Sequence, residues 1–192
     1  MYICKKFKKM IKTLYSFDFD DTLFYTPRME EGKTIWEEKI GLSWPYNGWW
    51  SKAETIDPDI FYIPKNEFVY KKYLEAMVDE KGASILATGR LNKVPGMREN
   101  IDKILRLNNI SFDELNVISR GNGKSGVYLN WGGDTYNFKT KLFEELIELT
   151  GCEHFIMYDD RHEHLVRFEE WAEEQDCKIT VFDVKNKTEK TF

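Results

Sequence analysis

The stretch that most constrains this chain is residues 11–24, IKTLYSFDFDDTLF. A short apolar run, Leu14-Tyr15-Ser16-Phe17, delivers Asp18 and Asp20, with Asp21 beside them. On an extended chain residues i and i+2 point to the same face. Asp18 and Asp20 should therefore converge at the end of a buried strand, while Phe17 and Phe19 face the other way into apolar packing. Two carboxylates that close repel, so the arrangement needs a cation to hold it. Oxygen ligands with room for water and phosphate suit Mg²⁺. An acidic turn or a helix N-cap also favours Asp, so the stretch takes its meaning from the rest of the chain.

The rest of the chain alternates strand and helix patterns. Tyr25 to about Lys65 has no clean helical or strand period. It holds an aromatic knot, Trp36, Trp44, Tyr46, Trp49 and Trp50, and reads as an irregular, cap-like insertion over 25–65 with one short helix near Ile35–Ile40. Asn66 then caps a helix from about Glu67 to Glu80, with Phe68, Val69, Tyr73, Leu74, Met77 and Val78 as its apolar face and Gly82 as its stop. A second strand, Ala83–Ala87, ends in Thr88-Gly89-Arg90. Pro95 opens a helix to about Asn109, and Leu115–Ile118 reads as a third strand. Residues 119–134 form a Gly-rich loop or β-hairpin. Gly123-Lys124-Ser125 resembles the end of a P-loop, but Ile118 stands where that motif needs glycine. A helix from about Asn137 to Leu149 stops at Gly151. A fourth strand, His154–Tyr158, ends in Asp159-Asp160-Arg161. A helix from His162 to Gln175 and a last strand, Ile179–Val184, complete the chain. This order predicts an α/β fold with a mostly parallel sheet of about five strands and helices on both faces, in one domain over 1–192. Residues 1–9 read as an N-terminal extension ahead of Met10.

Three polar clusters thus sit at the C-terminal ends of three predicted strands: Asp18 with Asp20, Thr88-Gly89-Arg90, and Asp159 with Asp160. In open α/β sheets that edge is where ligands bind. A carboxylate nucleophile can take a phosphoryl group, splitting one hard displacement into two. Asp18, Asp20, Asp159 and Asp160 offer hard oxygen ligands for Mg²⁺. Thr88 and Gly89 offer donors to phosphate oxygens. Arg90 has the fork geometry for phosphate. A lysine would answer the charge that develops on the equatorial oxygens.

DxDxT at Asp18-Asp20-Thr22 resembles the first motif of the haloacid dehalogenase (HAD) superfamily, most of whose members are phosphatases. The resemblance implies a three-layer Rossmann-like fold. It also implies that Asp18 attacks phosphorus and Asp20 shuttles a proton. The third motif's lysine maps onto Lys139 in Phe138-Lys139-Thr140, with Lys141 and Lys124 as competitors. A finer set runs from residue 11 to about Phe168: DFDDTLF with TP, the knot with Gly48-Trp49-Trp50 and Ile56-Asp57-Pro58, Ala87-Thr88-Gly89-Arg90, and Tyr158-Asp159-Asp160-Arg161 with His164. Together these are similar to the Swiss Army Knife RNA-repair branch and to the phosphatase half of polynucleotide kinase-phosphatases. That likeness implies removal of a phosphate from a nucleic-acid end, foremost a 3′ end of RNA. It also implies separate ligase or kinase partners.

Trp49 and Trp50 cannot easily both be buried on one side, so one of this pair is the candidate for stacking on terminal bases. Packing is the commoner role of large aromatics. Arg161 either reaches substrate or pairs with Asp159 or Asp160. His162 and His164 flank the acids but face different ways on a helix start, which favours capping over metal ligation. The net charge of −5 excludes a bulk basic field for duplex nucleic acid. No apolar run reaches membrane-spanning length. Cys4, Cys152 and Cys177 lack CxxC spacing, which points to a reducing, cytoplasmic setting in a cell or a phage-infected host. Two rival readings are a phosphatase of nucleotides or other small metabolites and a non-catalytic binding module on the same fold.

Overall fold

The computed structural model describes residues 10–115 and 125–192. The N-terminal extension, most of the expected third strand, Lys124 and the start of the Gly-rich loop lie outside the described residues. In chain order the elements are β1 (Thr13–Phe17), α1 (Met29–Ile40), α2 (Glu67–Val78), β2 (Gly82–Leu91), α3 (Met97–Leu107), β3 (Val127–Asn130), α4 (Thr135–Thr150), β4 (His154–Asp159), α5 (His162–Ala172), β5 (Lys178–Asp183) and β6 (Thr188–Thr191). They build one six-stranded sheet in the order β3-β2-β1-β4-β5-β6. Strands β1 to β5 pair in parallel, and β6 returns antiparallel to β5.

Side chains alternate across this sheet, as a period of two requires. Leu14, Ile85, Ala87, Phe155, Met157, Ile179 and Val181 point to one face, where they meet Phe138, Leu142, Phe143 and Leu146 of α4 and Leu165, Phe168 and Trp171 of α5. Phe17, Leu86, Leu129, Tyr158 and Phe182 point to the other, against Val69 and Tyr73 of α2 and Met97, Ile101 and Ile104 of α3. Phe17 and Phe19 are fully buried on this second face, on either side of Asp18 in the chain. Phe17 stacks on Tyr158 with ring centroids 4.8 Å apart, locking β1 to β4. Strand order reverses at that pair: β1 has β2 on one side and β4 on the other. That is the crevice where an open α/β sheet takes ligands.

Several sequence expectations are corrected. The strand beside β2 is Val127–Asn130, inside the stretch expected to be a loop or hairpin, and Leu115 lies outside any strand. Tyr128 fixes the two segments together, its hydroxyl donating to the Leu115 carbonyl at 2.8 Å. Helix α2 buries Val69, Tyr73 and Ala76, while Leu74, Met77 and Val78 are exposed. Its turn ends at Asp79, and Gly82 begins β2 rather than ending the helix. The acceptor expected at its start is present, since the Asn66 side chain accepts from the Phe68 N–H. Thr88, Gly89 and Arg90 belong to β2 itself, at a register shift between Thr88 and Leu91.

The insertion is more ordered than its sequence suggests. Helix α1 runs for 12 residues, though it buries only Gly32. So narrow a buried stripe leaves no apolar period to read. Trp49 explains the glycine: its ring lies against Gly32, and its Nε1 donates to the Pro27 carbonyl at 2.8 Å. Trp44 packs on Trp36, Tyr46 and Trp49 at centroid distances of 4.7–5.2 Å. Trp49, Ala53, Ile56, Phe61 and Ile63 join the core on the α2–α3 face. A Cβ added to Gly32 would overlap the Trp49 ring. Gly32→Ala should therefore destabilise the fold by about 1–3 kcal/mol, although alanine is the better helix former. A urea or thermal melt reads this, and an unchanged or raised midpoint would refute the packing.

Candidate active site

Burial and backbone geometry first bring the acids together. After β1 the chain turns tightly: Leu23 N–H donates to the Asp18 carbonyl and Phe24 N–H to that of Phe19. Asp21 takes a left-handed backbone at φ 52° in this turn, a conformation that Asp tolerates better than most side chains. Asp18 N–H in turn donates to the Tyr158 carbonyl at 3.1 Å, so the ends of β1 and β4 are stitched directly. Asp18 from β1 and Asp159 and Asp160 from β4 are all buried. One oxygen from each lies within 4.8 Å of the others.

Lys139 completes the group. Its Nζ donates to Asp18 Oδ1 at 2.8 Å and to Asp159 Oδ2 at 2.7 Å, with all three side chains almost wholly out of water. Helix α4 places it there, starting at Asp134, whose side chain accepts from the Asn137 N–H. Lys141, the competitor, is exposed. Burial pushes the Asp18 carboxyl up to about 8, against the pull of the Lys139 ammonium and with the Asp159 charge adding to the rise. Burial also opposes charge on Asp159, but Lys139 outweighs it and holds that carboxyl below its ordinary value. Lys139 is raised: burial works against its charge and the two carboxylates overcome it. Burial raises Asp160 too, despite the Lys185 ammonium 3.0 Å away. Three hard oxygen donors so close, with one carboxyl favouring its proton, form a set that a divalent cation fits.

Asp20 is held apart from these three. Its Oδ1 accepts from Arg90 Nη2 at 2.7 Å and from the Thr26 hydroxyl at 2.7 Å, and its Oδ2 from Arg90 Nε at 2.9 Å. Arg90 Nη1 donates to the Thr55 hydroxyl at 2.7 Å and to the Trp50 carbonyl at 3.0 Å. Arg90 is thus a buried bracket that fixes Asp20 against the insertion. Both ends of its fork are engaged in this structure. The Asp20 carboxylate stands outside the three-acid group expected to include it.

A cavity of about 430 Å³ opens over this arrangement, lined by Asp18, Asp20, Asp21, Trp50, Gly89, Arg90, Thr135, Lys139, Asp160 and Arg161. Trp50 is half exposed at its wall, with the Arg90 guanidinium 5.4 Å from its ring centre. Trp49 is buried, so of the two tryptophans only Trp50 can meet a ligand. Thr88 is fully buried and its hydroxyl accepts from the Arg90 N–H at 3.2 Å, so Gly89 and Arg90, not Thr88, line the cavity from that strand end. Arg161 meets Asp159 through its backbone N–H at 2.9 Å, which leaves its side chain at the rim. His164 is buried against Phe168, and its Nδ1 has no hydrogen-bond partner among the described residues. Sequence reading missed Thr135, whose side chain a Cβ on Gly89 would meet at 2.9 Å. It also missed Arg28, 3.7 Å from Asp21. Neither lies in a pattern with a recognisable period or spacing.

The raised Asp18 carboxyl has a measurable consequence. Its ordinary value is 3.8, and in the fold it titrates at about 8. Between these values the unfolded chain has released a proton that the folded chain retains, so stability falls as pH rises through this window. Asp18→Asn removes the group. In EDTA, wild type should lose stability relative to Asp18→Asn from about pH 4 to about pH 8 and run parallel to it above. Urea melts across that range test this. A gap that does not change with pH would show that Asp18 is ionised throughout.

Residues 10–191 match the model of HAD domain family 1 in Swiss Army Knife RNA repair proteins. No curated protein and no solved structure matches the chain significantly. Among the described residues no helix is long and apolar enough to cross a membrane. The family match spans the sheet, the insertion and every residue of the cavity, so this chain belongs to the HAD domain family of the Swiss Army Knife RNA repair proteins.

Proposed function

We propose that the protein is a Mg²⁺-dependent phosphatase that removes a terminal phosphate from a nucleic-acid end, foremost a 3′-phosphate of RNA. The observation that carries this reading is Asp18 on the floor of an open, polar cavity, held by Lys139 beside the Asp159–Asp160 pair. Asp18, Asp159 and Asp160 would hold the ion. Bound there, Mg²⁺ would neutralise the nucleophile and the phosphate so that two anions can meet.

In the first step Asp18 attacks phosphorus, the bond from phosphorus to the ribose oxygen breaks, and Asp20 gives a proton to the leaving hydroxyl. In the second, Asp20 takes a proton from water, the water oxygen attacks phosphorus, and the Asp18 carboxylate leaves. Arg90 and Thr26 keep Asp20 aimed for both transfers. Lys139 answers charge on the equatorial oxygens, and Gly89 allows phosphate to approach the strand end closely. The family's RNA-repair setting and the exposed face of Trp50, available to a terminal base, favour a polymer end over a small metabolite.

The test is phosphate release from 3′- and 5′-phosphorylated RNA and DNA oligomers and from a mononucleotide, with Mg²⁺ and with EDTA. Release should be greatest from one oligonucleotide end, vanish with EDTA, and fall by about a thousandfold or more in Asp18→Asn. Full turnover in that variant would sink the mechanism. Turnover of the mononucleotide alone would move the substrate to small metabolites. Arg90→Lys should lower kcat by about tenfold to a hundredfold with little change in KM, because it loosens Asp20 without touching substrate.

A further inference from the structure

A second cavity, of about 390 Å³, adjoins the first, and Asp21 lines both. Its walls carry Lys65, Lys185 and Lys187 with Tyr25 and Phe68. The chain as a whole bears a net charge of −5, so three ammonium groups around one groove are a local reversal of sign. Two acids share the groove, Asp21 and Glu67. Asp21 is faced from outside by the Arg28 guanidinium at 3.7 Å, and Lys185 binds Asp160 at the border with the catalytic cavity. Further out, the Lys65 ammonium sits 3.6 Å from the ring centre of Tyr70, and that of Lys187 sits 5.2 Å from the ring centre of Phe68. Both are oriented over aromatic faces. Tyr25 presents half of its surface along the same path.

Lys187 adds an independent sign. It turns the chain between β5 and β6 with a left-handed backbone at φ 54°. A glycine or asparagine would adopt that conformation at lower cost. A lysine held there against its backbone preference points to a use for its side chain.

We propose that this groove is the track for the phosphodiester backbone behind the reacting end, with Lys65 and Lys187 as its phosphate contacts. Aromatic walls and ammonium groups in alternation suit a single strand, whose bases have faces to stack and whose phosphates are evenly spaced. The track explains how an acidic protein can grip a polymer: the attraction is local to a groove that meets the catalytic cavity at Asp21. This inference rests on the 3′-phosphatase reading above and deepens it, because it makes the substrate a strand rather than a phosphate monoester of any kind.

The test compares wild type, Lys65→Glu/Lys187→Glu and Lys187→Asn on a 3′-phosphorylated RNA decamer and on a nucleoside 3′-monophosphate. Neither lysine belongs to the catalytic machinery. In the double variant KM for the decamer should rise about tenfold or more, with kcat within about twofold and the monophosphate unaffected. The dependence of log kcat/KM on log salt should flatten by about 1 to 1.5, the loss of two single-strand phosphate contacts. Lys187→Asn should melt at a higher temperature than wild type while its decamer KM rises, which separates the groove from folding. Wild-type preference for the decamer that survives in the double variant would overturn the track and leave the phosphatase reading standing. A wild type that shows no preference for the decamer would overturn the track and the nucleic-acid-end substrate, and would leave the phosphatase chemistry to the Asp18→Asn test.

Discussion

The structure depends on one buried cation shared between two strands. Lys139 spans Asp18 at the end of β1 and Asp159 at the end of β4, and all three side chains are almost wholly buried. Removing charges from solvent is costly, and a buried pair is sustained only by close geometry with the remaining hydrogen bonds made. Asp159 has such a bond, its Oδ1 taking the Arg161 N–H, and the backbone Asp18 N–H to the Tyr158 carbonyl ties the two strand ends together. The stack of Phe17 on Tyr158 supplies the stiffness beneath them. Two acids and a lysine in an apolar sheet would be a liability for folding alone. At the reversal of strand order they form a preorganised floor, which under the proposed function would meet an incoming phosphate with little reorganisation.

A second bracket ties the insertion to that floor. Arg90 reaches from β2 to Asp20 with one edge of its guanidinium and to Trp50 and Thr55 with the other. The insertion is anchored in turn by Trp49, which fills the space left by Gly32 and binds the Pro27 carbonyl. The tryptophan at the wall and the carboxylate at the centre therefore belong to one rigid unit. A lid on a hinge would leave Asp20 free to swing; this insertion fixes it. In the proposed function specificity and proton transfer would consequently draw on the same contacts, as expected of sites built on packed elements.

The parts of the site legible in the sequence are those whose signals are local. Asp18, Asp159 and Asp160 each close a short apolar run, so their place at the sheet edge could be read from the strands themselves. Lys139 could be reached only through the resemblance, because a lysine in an amphipathic helix carries no mark of burial. Arg90 was legible as a site residue but its contacts to Trp50 and Thr55 were not, since those partners come from a segment without period. Helix α1 was read as a short helix because it buries one residue, and that residue is a glycine. Val127–Asn130 was concealed for a different reason. Four residues flanked by glycines look like a hairpin, and only pairing with β2 makes them a parallel strand. The aromatic knot divided as a packing argument requires, with Trp49 inside and Trp50 at the wall.

The last strand has a consequence of its own. A parallel sheet that ended at β5 would offer a buried-type strand, Ile179 to Phe182, with a free row of backbone groups to any chain that met it. β6 covers that row with four exposed residues, Thr-Glu-Lys-Thr, running antiparallel, and Lys190 is pinned to Glu169 of α5. A short edge of this kind, charged and without an apolar face, is a poor template for another copy. What would have been an apolar edge at β5 is thereby replaced by one that disfavours strand addition from a second copy.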